Sequence, residues 1–160
     1  MDPLGRYAPA LCRKALRLLG NGADAEDVVQ SVFAELVQRG RAEADLPYLF
    51  RAVTSRCLNL LRDRGNRQRL LQRQEAVLRG AARTRCDDEV IGMDLMLKVV
   101  DRVDAACAEA LIYRYFDDMT QDEIAEVQEV TRKTVAARLA RVHEVVVALV
   151  GTAETKAGSP

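Results

Sequence analysis

Apolar side chains recur along this chain at helical spacing from near Tyr7 to near Val150. No stretch shows the sustained alternation, bounded by turn residues, that a half-buried strand needs. The pattern predicts a first helix from Tyr7 to Leu19, with Leu11, Ala15, Leu18 and Leu19 on its apolar side, ending at Gly20-Asn21-Gly22. A second helix is expected from near Asp24, where Asp24, Glu26 and Asp27 place negative charge in the first turn and complement the helix dipole. Its stripe is Val28, Val29, Val32, Phe33, Leu36 and Val37, and its polar side carries Asp27, Gln30, Ser31, Glu35 and Gln38. A third helix should start after Leu46-Pro47, with proline at a first-turn position. Leu49, Phe50, Val53, Cys57, Leu60 and Leu61 form its buried side, while Arg51, Ser55, Arg56, Asn59 and Arg62 face elsewhere.

The pattern thins over 63–92, where Arg and Gln dominate and Gly65, Gly80 and Gly92 punctuate. The expected organisation is all-α: one small helical domain over 1–64, a linker over 65–92 (partly helical around Gln68 to Leu78), a second helical domain over 93–150, and a disordered tail over 151–160. In the second domain Asp94 to Arg102 leads in and Ala105 to Phe116 is strongly apolar. Thr120-Gln121-Asp122-Glu123 then fits a capping box, in which the Thr hydroxyl and the Glu carboxylate satisfy free N–H groups reciprocally. That box opens a helix of about two turns, Gln121 to Gln128. After a tight turn Thr131 caps a helix through Arg132, Lys133, Thr134, Arg138 and Arg141.

Charge adds a second layer. The 160 residues carry no net charge, yet 51–85 holds 10 basic and 2 acidic side chains, a net +8, and 86–128 holds 3 and 12, a net −9. A block this basic inside a neutral chain suits either a polyanion partner or a solvated Arg-rich helix face. No apolar run reaches the roughly 20 residues that span a bilayer, and Met1 to Arg6 does not read as a secretory signal. A cytoplasmic protein without membrane association is expected. Cys12, Cys57, Cys86 and Cys107 are scattered and His143 is the single histidine, so the cysteines read as small buried hydrophobes and no metal or other cofactor is expected. No nucleophile–base pair and no phosphate-binding glycine loop is visible, which argues against an enzyme.

The short helix, turn and basic second helix make a helix-turn-helix candidate for DNA. Ile124, Ala125, Val127, Val135 and Leu139 would brace it. Arg132, Lys133, Thr134, Ala137, Arg138 and Arg141 would face the major groove, where Arg pairs with guanine edges or holds phosphates.

Longer stretches sharpen this. Leu111-Ile112-Tyr113-Arg114-Tyr115-Phe116, Met119-Thr120-Gln121-Asp122-Glu123-Ile124-Ala125-Glu126 and Thr131 through Leu139 resemble sigma region 4. That region reads as an apolar run ending R-Y-F, then L-S-x-x-E-I-A-E, then S-x-G-T-V-K-S-R-L. Asp24-Ala25-Glu26-Asp27-Val28-Val29-Gln30-Ser31-Val32-Phe33 is similar to the region 2.2 signature D-A-E-D-L-V-Q-E-V-F. Leu49-Phe50-Arg51 through Leu58-Asn59-Leu60-Leu61-Arg62 resembles regions 2.3 and 2.4. Together these cover residues 7–150 and resemble the extracytoplasmic-function (group IV) sigma factors of the sigma-70 family.

The resemblance implies an alternative sigma factor that binds core RNA polymerase and directs promoter recognition, DNA opening and transcription initiation. It implies docking of Asp27, Gln30 and Glu35 on the β′ clamp coiled coil, with the β flap as a further contact. It implies reading of the minus-ten element by Tyr48, Arg51, Ser55, Arg56, Asn59 and Arg62. The minus-thirty-five element falls to Arg132, Lys133, Thr134, Ala137, Arg138 and Arg141, with Arg138 as the main anchor. Promoter DNA is thus a partner, and an anti-sigma factor is one the resemblance allows. Ser55 stands where the family usually has Asn, Asn59 where it has Asp, Val37 where Trp is common, Glu129 where the turn has Gly, and Ala136 where the recognition helix has Lys. A sigma-like decoy, or a helix-turn-helix regulator acting without polymerase, are the alternatives to set against this reading.

Overall fold

The computed structural model describes residues 4–41, 43–78 and 88–157. Among them are seven α-helices and one 3-10 turn at Gly5–Tyr7, and no strand. The helices are α1 (Ala8–Leu19), α2 (Gly22–Gln38), α3 (Leu46–Leu78), α4 (Asp88–Val100), α5 (Ala105–Tyr115), α6 (Gln121–Gln128) and α7 (Arg132–Ala157).

The helix ends follow local chemistry. Gly20 takes the left-handed conformation (φ 67°) and returns its N–H to Leu16 O, which closes α1. Asn21 then caps α2, its side-chain oxygen accepting from the N–H groups of Ala23 and Asp24. The helix therefore starts two residues before the Asp24 that its negative first turn suggested. Asp104 caps α5 by accepting from Cys107 N at 2.8 Å, and this bond holds its carboxyl below the ordinary range. The Thr120–Glu123 capping box is complete, with Thr120 N donating to Glu123 at 2.7 Å and Glu123 N to Thr120 Oγ1 at 3.2 Å.

One expectation needs correction, at the tail. The linker is helical around Gln68 to Leu78, as expected, and there continues α3 without a break; α4 begins at Asp88. Arg, Gln, Leu and Glu are all good helix formers, and one glycine, Gly65, costs only about 1 kcal/mol against that background. The tail is likewise helical to Ala157, because Ala153, Glu154, Lys156 and Ala157 favour helix and no proline intervenes before residue 160.

Nor are the halves packed separately. One buried cluster joins Leu11, Leu18, Val28, Val32, Leu49, Val53 and Leu58 of α1–α3 to Val99, Val100, Cys107, Ile112 and Val142 of α4, α5 and α7. Cys57 and Cys107 are buried in it, and burial pushes both thiols up to about 11. They are inert apolar filling at neutral pH, as expected; Cys86 lies outside the described residues.

A second small cluster, Ala110, Tyr113, Ile124 and Val135, with Ala125, Val127 and Leu139 against it, holds α5, α6 and α7 together. Its turn passes through Glu129 in the left-handed region (φ 54°, ψ 44°). A side chain there costs roughly 1–2 kcal/mol, partly offset by the smaller freedom it leaves the unfolded chain. Glu129→Gly should therefore raise stability by up to about 1 kcal/mol, read as a higher urea midpoint with an unchanged slope.

Candidate nucleic-acid interface

The minus-ten candidates share one helix face. Tyr48, Arg51, Ser55, Asn59 and Arg62 all belong to α3, spaced by three or four residues, which at 3.6 residues per turn makes a continuous stripe. Arg56 stands beside it. The buried side of α3, with Leu49, Val53, Cys57 and Leu61, fixes this orientation. Tyr48 begins the stripe with 37% of its surface exposed, and beside it opens a cleft of about 590 Å³ lined by Gly40, Arg41, Glu43, Ala44 and Asp45. Asp45 holds this end of α3 by accepting from Tyr48 N at 3.1 Å. An aromatic ring at the rim of an open cleft, at the head of a cationic stripe, is an arrangement that suits an unstacked base.

The stripe's cations are all engaged inside the molecule. Arg56 pairs with Glu35 of α2 and reaches Ser31 Oγ at 3.4 Å. Arg62 donates to Val100 O at 3.3 Å, and Arg51 lies 3.7 Å from the Glu109 carboxylate of α5. Ser55 and Asn59 are half-buried and exposed respectively.

The three core-docking candidates separate. Asp27 and Gln30 are exposed on the outer face of α2, together with Ala34 and Gln38. Glu35 lies about a quarter-turn away, where Arg39 at 2.6 Å and Arg56 hold it against α3. Val37, 64% exposed, adjoins the outer face and was passed over because it continues the apolar stripe by spacing. An apolar side chain left that exposed on an otherwise polar face is the signal that marks it.

The third group sits on α7. Arg132, Lys133 and Ala137 are exposed, as are Ala136 and Ala140, and this is the open face of the helix. Thr134 is half-buried, with its N–H and hydroxyl on the Thr131 side chain at 3.2 and 3.0 Å, which confirms Thr131 as the cap. Arg141 is exposed and reaches Glu144 at 3.2 Å. Arg138 turns the other way. Its guanidinium donates to Gln128 Oε1 at 2.8 Å, while Gln128, only 4% exposed, donates to Ala106 O at 3.0 Å. Arg138 thus ties α7 to α6 and, through Gln128, to α5. Among the described residues no group of His, Cys, Asp and Glu side chains could hold a metal ion.

Comparison with known proteins gives the family. Residues 4–67 match the family model Sigma-70 region 2, and residues 94–142 match Sigma-70, region 4. The chain belongs to the sigma-70 family. It is a sigma factor of the extracytoplasmic-function type, an alternative sigma factor directing transcription initiation with core RNA polymerase on promoter DNA. Among solved structures it is similar in fold to the sigma factor RpoE of Bartonella quintana, determined in complex with the anti-sigma factor NepR. The two share 20% identity with a TM-score of 0.50, over 92% of this chain and 94% of that one. No curated protein matches.

Proposed function

We propose that the three surfaces divide initiation between them. Asp27 and Gln30 on the outer face of α2, with Val37 beside them, dock on the β′ clamp coiled coil. The α3 stripe from Tyr48 to Arg62 captures the opened minus-ten strand, with Tyr48 and the adjoining cleft receiving a base. The open face of α7, led by Arg132 and Lys133, meets the minus-thirty-five duplex, and the β flap positions this half. The observation that carries the reading is that Tyr48, Arg51, Ser55, Asn59 and Arg62 lie on one line along α3, headed by an exposed ring. Single-strand capture asks for a cationic groove with a stacking platform. The chain works by binding rather than catalysis, in the cytoplasm. No described helix is long and apolar enough to cross a membrane, and the complex of RpoE with NepR supports an anti-sigma factor as a further partner.

Run-off transcription from genomic fragments with core enzyme and this chain tests the reading. A sigma-like decoy would bind core and give no transcript, and a regulator acting alone would not bind core. Asp27→Ala with Gln30→Ala should weaken association with core roughly tenfold or more. Both side chains are exposed and off the core, so the thermal midpoint should barely move. Native-like core affinity in the double variant would remove α2 from the docking surface.

A further inference from the structure

The two helices of the helix-turn-helix meet in an ion pair at their starts. Among the described residues one salt bridge crosses from α6 to α7, between Asp122 and Arg132 at 3.8 Å. Each end is placed by its own helix cap. The Thr120–Glu123 capping box sets Asp122 in the first turn of α6, and the Glu123 carboxylate is engaged in that box. Thr131 accepts from Thr134 N at 3.2 Å, which leaves Arg132 as the first residue of α7. Ile124 and Val135, both buried, hold the two helices together behind the pair.

The cations along α7 are not equivalent. Arg138 is turned inward to Gln128, and Arg141 lies further along the helix beside Glu144. Arg132 and Lys133 stand at the N-terminal end, the part of a recognition helix that reaches base edges. Of these two, only Arg132 has the planar fork that pairs with guanine O6 and N7 at once. The same fork binds phosphate equally well, and a phosphate contact carries no sequence information. A carboxylate beside the guanidinium decides between these uses. It occupies one side of the fork and repels the phosphates that flank the groove, whereas base edges carry no net charge. In the free protein both side chains are exposed, so the pair adds little to stability. In the groove, where water is displaced, its attraction grows.

We propose that Asp122 is a positioning residue for promoter choice: it holds Arg132 off the phosphates and aims its guanidinium at a guanine of the minus-thirty-five element. This rests on the assignment of the open face of α7 to that duplex, and it gives α6 a part in reading sequence. Removing the carboxylate should then have two opposite effects. Binding to duplex of any sequence tightens, because Arg132 is released to the phosphates, and preference for one base pair weakens.

The test uses holoenzyme formed with the full chain, native or carrying Arg132→Ala, Asp122→Asn, Asp122→Glu, or Arg132→Ala with Asp122→Asn. A randomised duplex library, selected on each holoenzyme and sequenced, reads base preference. A salt series on an unselected duplex reads phosphate contacts. Arg132→Ala should cut one guanine preference on the order of tenfold. Asp122→Asn should cut the same preference by about threefold or more. It should also tighten binding to the unselected duplex and steepen the slope of log affinity against log salt by about 1. Once Arg132 is Ala, Asp122→Asn should change that base pair no further. Asp122→Glu, which keeps the charge, should retain most of the preference. Asp122 is exposed, so the urea midpoint of Asp122→Asn should stay native. Tighter binding of all sequences with the preference intact would make Asp122 a repelling charge alone and overturn the proposal, while leaving α7 on the duplex. A native preference in Arg132→Ala would overturn the proposal and also take Arg132 off the base edges.

Discussion

Holoenzyme carrying Arg56→Ala and Arg62→Ala should open a duplex promoter on the order of a hundredfold more slowly, while still binding core. Both arginines lie at the α3 stripe, one on either side of Asn59. Each charge-assisted hydrogen bond to a phosphate is worth about 1.5–3 kcal/mol, and about 1.4 kcal/mol is tenfold. Two lost contacts therefore give at least two decades. The ion pair of Arg56 does not carry the fold. Arg56 is 43% exposed where it meets Glu35, a pairing worth little in water, and Glu35 keeps Arg39. On a template whose minus-ten region is already mismatched, the cost of melting is gone and the opening part of the defect should be rescued; the strand-holding part should remain. Permanganate reactivity of unpaired thymines on both templates reads the two parts directly. Native opening of closed duplex by this variant would take the stripe out of strand capture.

The elements of this fold were legible because their signals are local. The capping box at Thr120–Glu123, the αL closure at Gly20 and the apolar periodicities of α1, α2 and α5 each depend on a few neighbouring residues, and each holds in the structure. What was not legible was set by distance. The charge blocks over 51–85 and 86–128 were visible, but only the fold shows that they face each other through Arg51–Glu109 and Arg69–Asp101. Helix around Gln68 to Leu78 could be read, but its unbroken join to α3 through Gly65 could not, because Arg and Gln lack an apolar rhythm although they favour helix. In the candidate site, the line from Tyr48 to Arg62 could be read from spacing. The inward turns of Glu35 and Arg138 could not, since each answers a partner on another helix: Arg56 for Glu35, Gln128 for Arg138.

That inward turn separates two roles on α7 that residue type alone merges. Arg138→Ala should act through stability. It leaves Gln128 Oε1, on a side chain 4% exposed, without its donor. An unsatisfied buried acceptor costs about 1–3 kcal/mol, and the bridge from α7 through Gln128 to Ala106 O loses one of its two bonds. The urea midpoint should fall, and minus-thirty-five recognition should weaken with it because α6 and α7 no longer hold a fixed angle. Lys133→Ala should do the reverse. Lys133 is exposed, with no fold contact to lose, so the midpoint should stay within about 0.5 kcal/mol of native. Duplex binding by holoenzyme should weaken for all sequences alike, and the slope of log affinity against log salt should drop by about 1, as for one lost phosphate contact. Urea melts and a salt series on the two variants settle the division. A native midpoint in Arg138→Ala with recognition lost would instead make Arg138 a direct DNA contact, swung away from Gln128 when the duplex arrives; an unchanged salt slope in Lys133→Ala would take that side chain off the phosphates.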